Sequence, residues 1–282
     1  MNADLFSATA VTAAHAPAIL RAPRPTDDKY SRGVLGMVTG SIQYPGAALL
    51  GITAALSTGV GMVRYLGPPE VTDVVIATRP EVVPGAGRVS ALVVGSGFPE
   101  VTADELRSRL GDLSLAGVPV VLDAAAMVHR QLFPGAALLT PHRGELERLA
   151  GKFLAPEGSP EETALWLAGQ LDAVVVLKGN ETLVVSPGGQ ASRLPPAPTW
   201  LATAGTGDVL AGIMGAVVTA VVTELEGDAV SSDRMHDAAV LAALIHQEAA
   251  KIASRVGGAE APLLASDLAE AVREAVTGFL SR

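Results

Sequence analysis

The chain has 282 residues, enough for one large or two small domains, and no shift in composition divides it. Apolar residues make up 49% but aromatics only 4%, so the core must be built from Ala, Val and Leu, which suits helices packed on a buried sheet. A net charge of −9 with no Lys/Arg block argues against nucleic acid or an anionic membrane surface as partner, and the lack of cysteine excludes disulfides, thiolate zinc sites and cysteine nucleophiles.

Residues 1–28 read as a lead-in, with Pro23 and Pro25 near its end, and residues 29–282 as a single domain. Met1 to Leu20 has no basic start followed by a long apolar core, so no secretory signal is expected. "VLGMVT" (34–39) is a strand, and "GSIQYPG" turns into the small-residue helix "AALLGITAALST". "VGMVRYL", "DVVIAT" and "SALVVG" follow as β-branched runs and read as strands. "TADELRSRLGDLSLAG" is a helix, "VPVVLDA" and "AALLT" are strands, and "PHRGELERLAG" turns into a helix. Ser159 and Glu162 form a capping box, with Pro160 at the first helical position of "PEETALWLAGQL". "DAVVVLKG", "ETLVVS" and "QASRL" read as one parallel strand followed by a hairpin. Long helices after Gly207, over 231–252 and from Ser266 onward complete the chain. The apolar run Val209 to Val222 is too short to span a bilayer, so a cytoplasmic location is expected.

Strands alternating with helices define a three-layer α/β/α fold with a central, mainly parallel sheet. In such folds ligands bind beyond the carboxyl ends of the strands. "VVG|SG", "VVLD|AA", "LLT|PH" and "VVVLK|GN" each end a strand in small or polar residues. No Walker-type phosphate loop, complete Gly-x-Gly-x-x-Gly, His-Glu-x-x-His or Gly-x-Ser-x-Gly is present.

Six stretches carry candidate chemistry, each with a structural alternative. In "TAGTGD", Asp208 is either a cap or dipole partner, or a base beside an anion hole formed by Gly205, Thr206 and Gly207. Lys178, with Gly179, Asn180, Glu181 and Thr182, forms either a plain turn or a phosphate- and adenosine-binding one. His142, ahead of Glu145, either caps a helix or faces the cleft. Gly95 and Gly97 serve packing or allow a bulky ligand to approach the backbone, and Gly46 and Ala47 pose the same choice at a strand–helix junction. Asp123 is a buried hydrogen-bond partner or a group near Mg²⁺.

Taken in order, "TGSIQYPGAALL", "VVGSGFP", "VVLDA", "LLTPHRGE", "VLKGNET" and "TAGTGDVLAG" resemble the NAD(P)H-hydrate dehydratase family, which has a ribokinase-like fold. The resemblance runs from about Lys29 to the C-terminus and implies an ADP- or ATP-dependent repair lyase that uses Mg²⁺. Its substrates would be the 6-hydroxylated hydrates NADHX and NADPHX, which it would return to NADH and NADPH. It places the hydrate near Ala47, Gly97, His142 and Asp208, and the adenine nucleotide on Lys178 to Thr182 and Gly207. It also implies a homo-oligomer, and the short lead-in implies no epimerase domain in front. The chain departs from the family pattern in "GSGFP", in "DAA", where Ala125 replaces an acid, and in Ala204, where glycine is usual. Two rivals stand beside it: a hydroxyethylthiazole- or hydroxymethylpyrimidine-type kinase, which would share "GTGD", and a nucleotide-binding regulator without turnover, which "DAA" and "GSGFP" would suit but Asp208 argues against.

Overall fold

A computed structural model describes residues 19–111, 113–225 and 228–281, so most of the lead-in lies outside the described residues. The parallel strands are short apolar runs: β1 (Val34–Val38), β2 (Met62–Tyr65), β3 (Val83–Pro84), β4 (Ala91–Val94), β5 (Val120–Leu122), β6 (Ala137–Leu139) and β7 (Val174–Leu177). An antiparallel hairpin, β8 (Leu183–Val185) and β9 (Ala191–Arg193), extends one edge. The nine-stranded order is β3-β2-β1-β4-β5-β6-β7-β8-β9. A separate two-stranded ribbon pairs β10 (Arg255–Val256) with β11 (Ala259–Glu260).

Alternate residues of each strand feed two cores, as a sheet covered on both faces requires. Leu35 and Met37 of β1 point into one core and Val34 and Val38 into the other. The first core lies under α1 (Pro45–Thr58), α2 (Pro69–Thr78), α6 (Thr206–Glu224), α7 (Ser232–Ala253) and α8 (Ala265–Leu280). The second lies under α3 (Ala103–Leu110), α4 (Arg143–Phe153), α5 (Pro160–Leu171) and the 3₁₀ segment Ala124–Leu132. Few aromatics are needed because small residues let helices touch. A Cβ on Gly212 of α6 would overlap the Gly51 backbone of α1. Ile19 and Leu20, within the lead-in as read from sequence, are buried in the first core.

Three sequence expectations change. "DVVIAT" lies in α2, not in a strand: Pro68 and Pro69 start a helix, Val71 and Val75 bury one face, and Val74 and Ile76 stay exposed. α3 ends at Leu110, because Gly111 takes φ +54° and turns the chain out of the helix. The apolar run around Val209–Val222 forms a 19-residue helix, long and apolar enough to cross a membrane, but most of it is buried inside the domain.

The register aligns the strand ends. Val38 pairs with Val94, Val94 with Leu122, and Leu122 with Leu139. The residues that follow each strand therefore meet along one edge of the sheet, where the site is found.

Candidate active site

Asp123, one residue past β5, is the centre of this edge. Its Oδ1 accepts from Thr140 Oγ1 at 2.6 Å and from Lys178 Nζ at 3.1 Å, and its Oδ2 accepts from Ser96 Oγ at 2.9 Å. Burial alone would raise this carboxyl, but the Lys178 charge and the three hydrogen bonds outweigh it and hold Asp123 below the usual carboxylate range. Burial likewise opposes the charge on Lys178, and Asp123, with Glu145 3.7 Å away, restores it and raises the ammonium above its ordinary value. Both oxygens of Asp123 are thus held by hydrogen bonds within the fold.

His142 and Lys178 end neighbouring strands and form a parallel bridge, in which the Lys178 N–H donates to the Pro141 carbonyl. His142 is the N-cap of α4. Its Nδ1 accepts from the Gly144 and Glu145 N–H groups, while Glu145 accepts from the His142 N–H at 2.8 Å. The structural reading of His142 therefore holds, and its exposed imidazole edge also lines the cavity beside Lys178.

The start of α6 completes the group. Gly205 is the N-cap with φ +92°, a conformation that glycine adopts without strain, and Ala204 stays outside that region. No side chain caps this helix. Among the described residues, the N–H groups of Gly205, Gly207 and Asp208 have no acceptor, whereas the Thr206 N–H is turned toward the Thr203 carbonyl. Thr206 is also buried, and its hydroxyl donates to the Leu201 and Thr203 carbonyls, so it contributes less to an anion hole than its neighbours. A Cβ on Gly207 would lie 3.5 Å from Lys178 Nζ, so the ammonium faces the helix start directly. Free N–H groups, the helix dipole and an ammonium together form an anion site.

Asp208 is the exception within it. It caps nothing and makes no side-chain hydrogen bond among the described residues. Burial, and then the neighbouring Asp123 charge, push its pKa up to about 7 against the opposing pull of Lys178. A half-buried carboxylate poised near neutrality can take a proton at physiological pH. Its backbone carbonyl packs against Gly51, which places Asp208 on the α1 side of the cleft.

Ala47 and Gly97 meet on that side. Gly97 has φ +72°, and a Cβ there would press on Ala47 and on the Tyr44 carbonyl, so the turn after β4 rests on the start of α1. Gly40 (φ +76°) ties in as well, its N–H donating to the Ser96 carbonyl at 2.7 Å. Gly46 faces open space. Gly95, at φ +113°, lies against the Asp123 carbonyl and Ala126. Its role is packing. Ala125 lies in the 3₁₀ segment after Asp123, and Ala124 before it holds an unusual φ of +48°.

On the other side of Lys178 lies a cavity of about 560 Å³. Lys178, Gly179, Asn180, Thr182 and Gly207 all line it, with His142 at its rim. Glu181 does not. It is exposed and lies 3.5 Å from Arg193. The segment 195–202 forms the facing wall, tied to the turn by the Asn180 side chain on the Ala197 carbonyl and by the Ala197 N–H on the Asn180 carbonyl. Gln247 of α7 donates to the Pro195 carbonyl. Sequence reading missed this segment, together with Gln247 and His246 of α7. It also missed Ser96 and Thr140, which lie inside motifs that it did identify.

Among the described residues, no three His, Cys, Asp or Glu side chains cluster in a way that could hold a metal ion. A Mg²⁺ at this site would therefore be carried by a polyphosphate and its waters, with at most one or two protein carboxylates. The N–H groups and the ammonium fit such a polyphosphate.

The strand order and the position of the site make this a ribokinase-like α/β domain. A family model described as NAD(P)H-hydrate dehydratase matches residues 35–273, and the chain belongs to that family. It is 42% identical over 210 residues to the bifunctional NAD(P)H-hydrate repair enzyme of Mycobacterium tuberculosis, a match covering 70% of this chain and 43% of that protein. The chain thus spans about half the length of the curated bifunctional relatives it matches. It is 32% identical over 287 residues to the ADP-dependent (S)-NAD(P)H-hydrate dehydratase of Neisseria meningitidis, covering 93% of this chain and 91% of that one. The solved ADP/ATP-dependent NAD(P)H-hydrate dehydratase from Bacillus subtilis, co-crystallised with ATP/Mg²⁺, superposes with a TM-score of 0.77 at 25% identity, over 97% of this chain and 99% of that one.

Proposed function

We propose that this chain is an ADP-dependent (S)-NAD(P)H-hydrate dehydratase, which returns NADHX and NADPHX to NADH and NADPH at the expense of ADP or ATP. One observation carries the reading: Asp208, an unpaired carboxylate with its pKa near 7, sits in the first turn of a helix whose free N–H groups and facing lysine suit phosphate. Binding alone gives no reason for a negative group in that place. Proton transfer does. This argues against a regulator that lacks turnover.

In the proposed reaction the adenine nucleotide lies in the cavity between the Lys178–Thr182 turn and segment 195–202, with its phosphates on Lys178 and the N–H groups of Gly205, Gly207 and Asp208. The hydrate lies on the opposite side, against Ala47, Gly97 and Asp208. Asp208 takes the proton of the 6-hydroxyl as that oxygen attacks the terminal phosphorus, and AMP or ADP leaves. The N–H groups and Lys178 stabilise the charge developing on the moving phosphoryl group. The C–O bond then breaks with the lone pair of the ring nitrogen, phosphate departs, and loss of the adjacent ring proton restores the reduced nicotinamide. When bound, Mg²⁺ neutralises phosphate charge. His142 is shared between the two sides, because its imidazole lines the nucleotide cavity.

The cytoplasmic location and homo-oligomeric state expected from the sequence belong to this proposal, and light scattering of the purified chain tests the second. The activity is tested by incubating the protein with NADH hydrate and ADP or ATP. Recovery of the absorbance of reduced nicotinamide, dependent on the nucleotide, is the expected result. A stable phosphorylated product without that recovery indicates the kinase reading instead.

A further inference from the structure

Several buried titratable side chains take no part in the proposed reaction, and of these His246 is the one beside the nucleotide. His246 on α7 is 7% exposed and lines the nucleotide cavity. Its Nε2 lies 2.9 Å from the Thr206 carbonyl oxygen. A carbonyl can only accept, so this ring nitrogen carries the hydrogen. Burial pulls the imidazole pKa down to about 4, so no second proton is present at neutral pH. The other nitrogen is therefore a lone-pair acceptor, and it has no hydrogen-bond partner among the described residues. Turning the ring by half a turn would put the carbon Cε1 against the Thr206 carbonyl in place of Nε2, so this hydrogen bond selects the ring orientation and leaves Nδ1 to accept.

The position of His246 suggests its partner. Thr206 directly precedes Gly207, which faces the Lys178 ammonium at the phosphate end. Leu201 and Ala243 line the same cavity with apolar surface suited to a base. His246 lies one helical turn from Ala243 and touches Thr206, so it stands between the two ends. What lies between the phosphates and the base of a nucleotide is the sugar. Resting on the nucleotide site proposed for this chain, we propose that His246 is a specificity-determining residue whose free ring nitrogen accepts a hydrogen bond from a ribose hydroxyl. A deoxynucleotide would leave that acceptor buried and unpaired, whereas a ribonucleotide satisfies it.

Calorimetric titration of ADP, 2′-deoxy-ADP, 3′-deoxy-ADP and IDP into the wild type, His246→Phe and His246→Gln tests this. The wild type should bind one of the deoxynucleotides roughly tenfold more weakly than ADP or worse, and IDP within about twofold of ADP. His246→Phe should bind ADP and that deoxynucleotide equally. His246→Gln, whose amide offers one donor to Thr206 and one acceptor to the sugar, should recover the preference. The ratio of ribo- to deoxynucleotide affinity is the decisive reading, because a merely structural histidine would lower both affinities together. A wild type that binds both deoxynucleotides as well as ADP overturns the proposal. So does a His246→Phe protein that keeps the preference, or discrimination that falls on IDP. If ADP itself does not bind, the nucleotide site fails, and this inference with it. If ADP binds but His246 does not govern the sugar preference, only this inference fails.

Discussion

Replacing Asp208 by asparagine keeps the size of the side chain and removes only its ability to ionise. In the folded chain this carboxyl titrates near 7, against an ordinary value of 3.8, because burial and the Asp123 charge disfavour the anion. The sign is the reverse of the usual salt-bridged aspartate. Between about pH 4 and 7 the unfolded state gives up this proton while the folded state keeps it. Wild-type stability therefore falls through that window relative to a variant that cannot titrate. A gap of about three pKa units corresponds to at most about 4 kcal/mol, and solvent reaching the half-buried group reduces this to roughly 2–4 kcal/mol. Urea denaturation of both proteins should show little difference at pH 4 and a more stable Asp208→Asn protein at pH 8. The same variant should lose a factor of about 10² to 10⁴ in kcat, the usual worth of a positioned base, while ADP affinity holds or improves. Near-normal kcat would refute the catalytic assignment, and equal stability at pH 8 would refute the electrostatic account of the site.

Three further outcomes follow from the same contacts. Asp123→Asn removes the like charge beside Asp208, so the acid limb of the kcat/KM profile should move down by roughly one pH unit; a limb that stays in place contradicts the coupling. Lys178→Met strands the buried Asp123 charge and should cost about 3–5 kcal/mol in denaturant unfolding, and adding Asp123→Asn should recover most of that while ADP binding stays weak by calorimetry. Gly212→Ala forces α6 away from the Gly51 backbone and should lower stability by about 1–3 kcal/mol, read as a drop in Tm, with turnover falling as the start of α6 shifts.

The sheet was legible because its strands are buried on both faces and so read as unbroken apolar runs, as in "ALVV" and "VVVL". The same rule misled at "DVVIAT", where β-branched residues sit in a helix started by Pro68 and Pro69. There the proline signal should have outweighed side-chain preference. The site residues at strand ends, Asp123, His142 and Lys178, could be found because each sits where an apolar run stops, and register brings those ends together. Glu181 shares the turn of Lys178 in sequence, but its side chain faces Arg193 instead of the cavity, and spacing alone does not tell the two apart. His246 and the 195–202 segment had no local signal. His246 meets Thr206 from 40 positions away in sequence, a contact that only the packing of α7 on α6 creates.

Departure of phosphate with the substrate's own oxygen is the central claim. NADH hydrate carrying a heavy oxygen isotope in its 6-hydroxyl group, incubated with the protein and ADP, tests this directly by mass spectrometry of the products. If the hydroxyl is phosphorylated before it departs, the label appears in inorganic phosphate, in step with the NADH regained. If the label appears in water and the phosphate is unlabelled, the hydroxyl was expelled without phosphoryl transfer, and the roles of Asp208, Lys178 and the start of α6 in that transfer are contradicted.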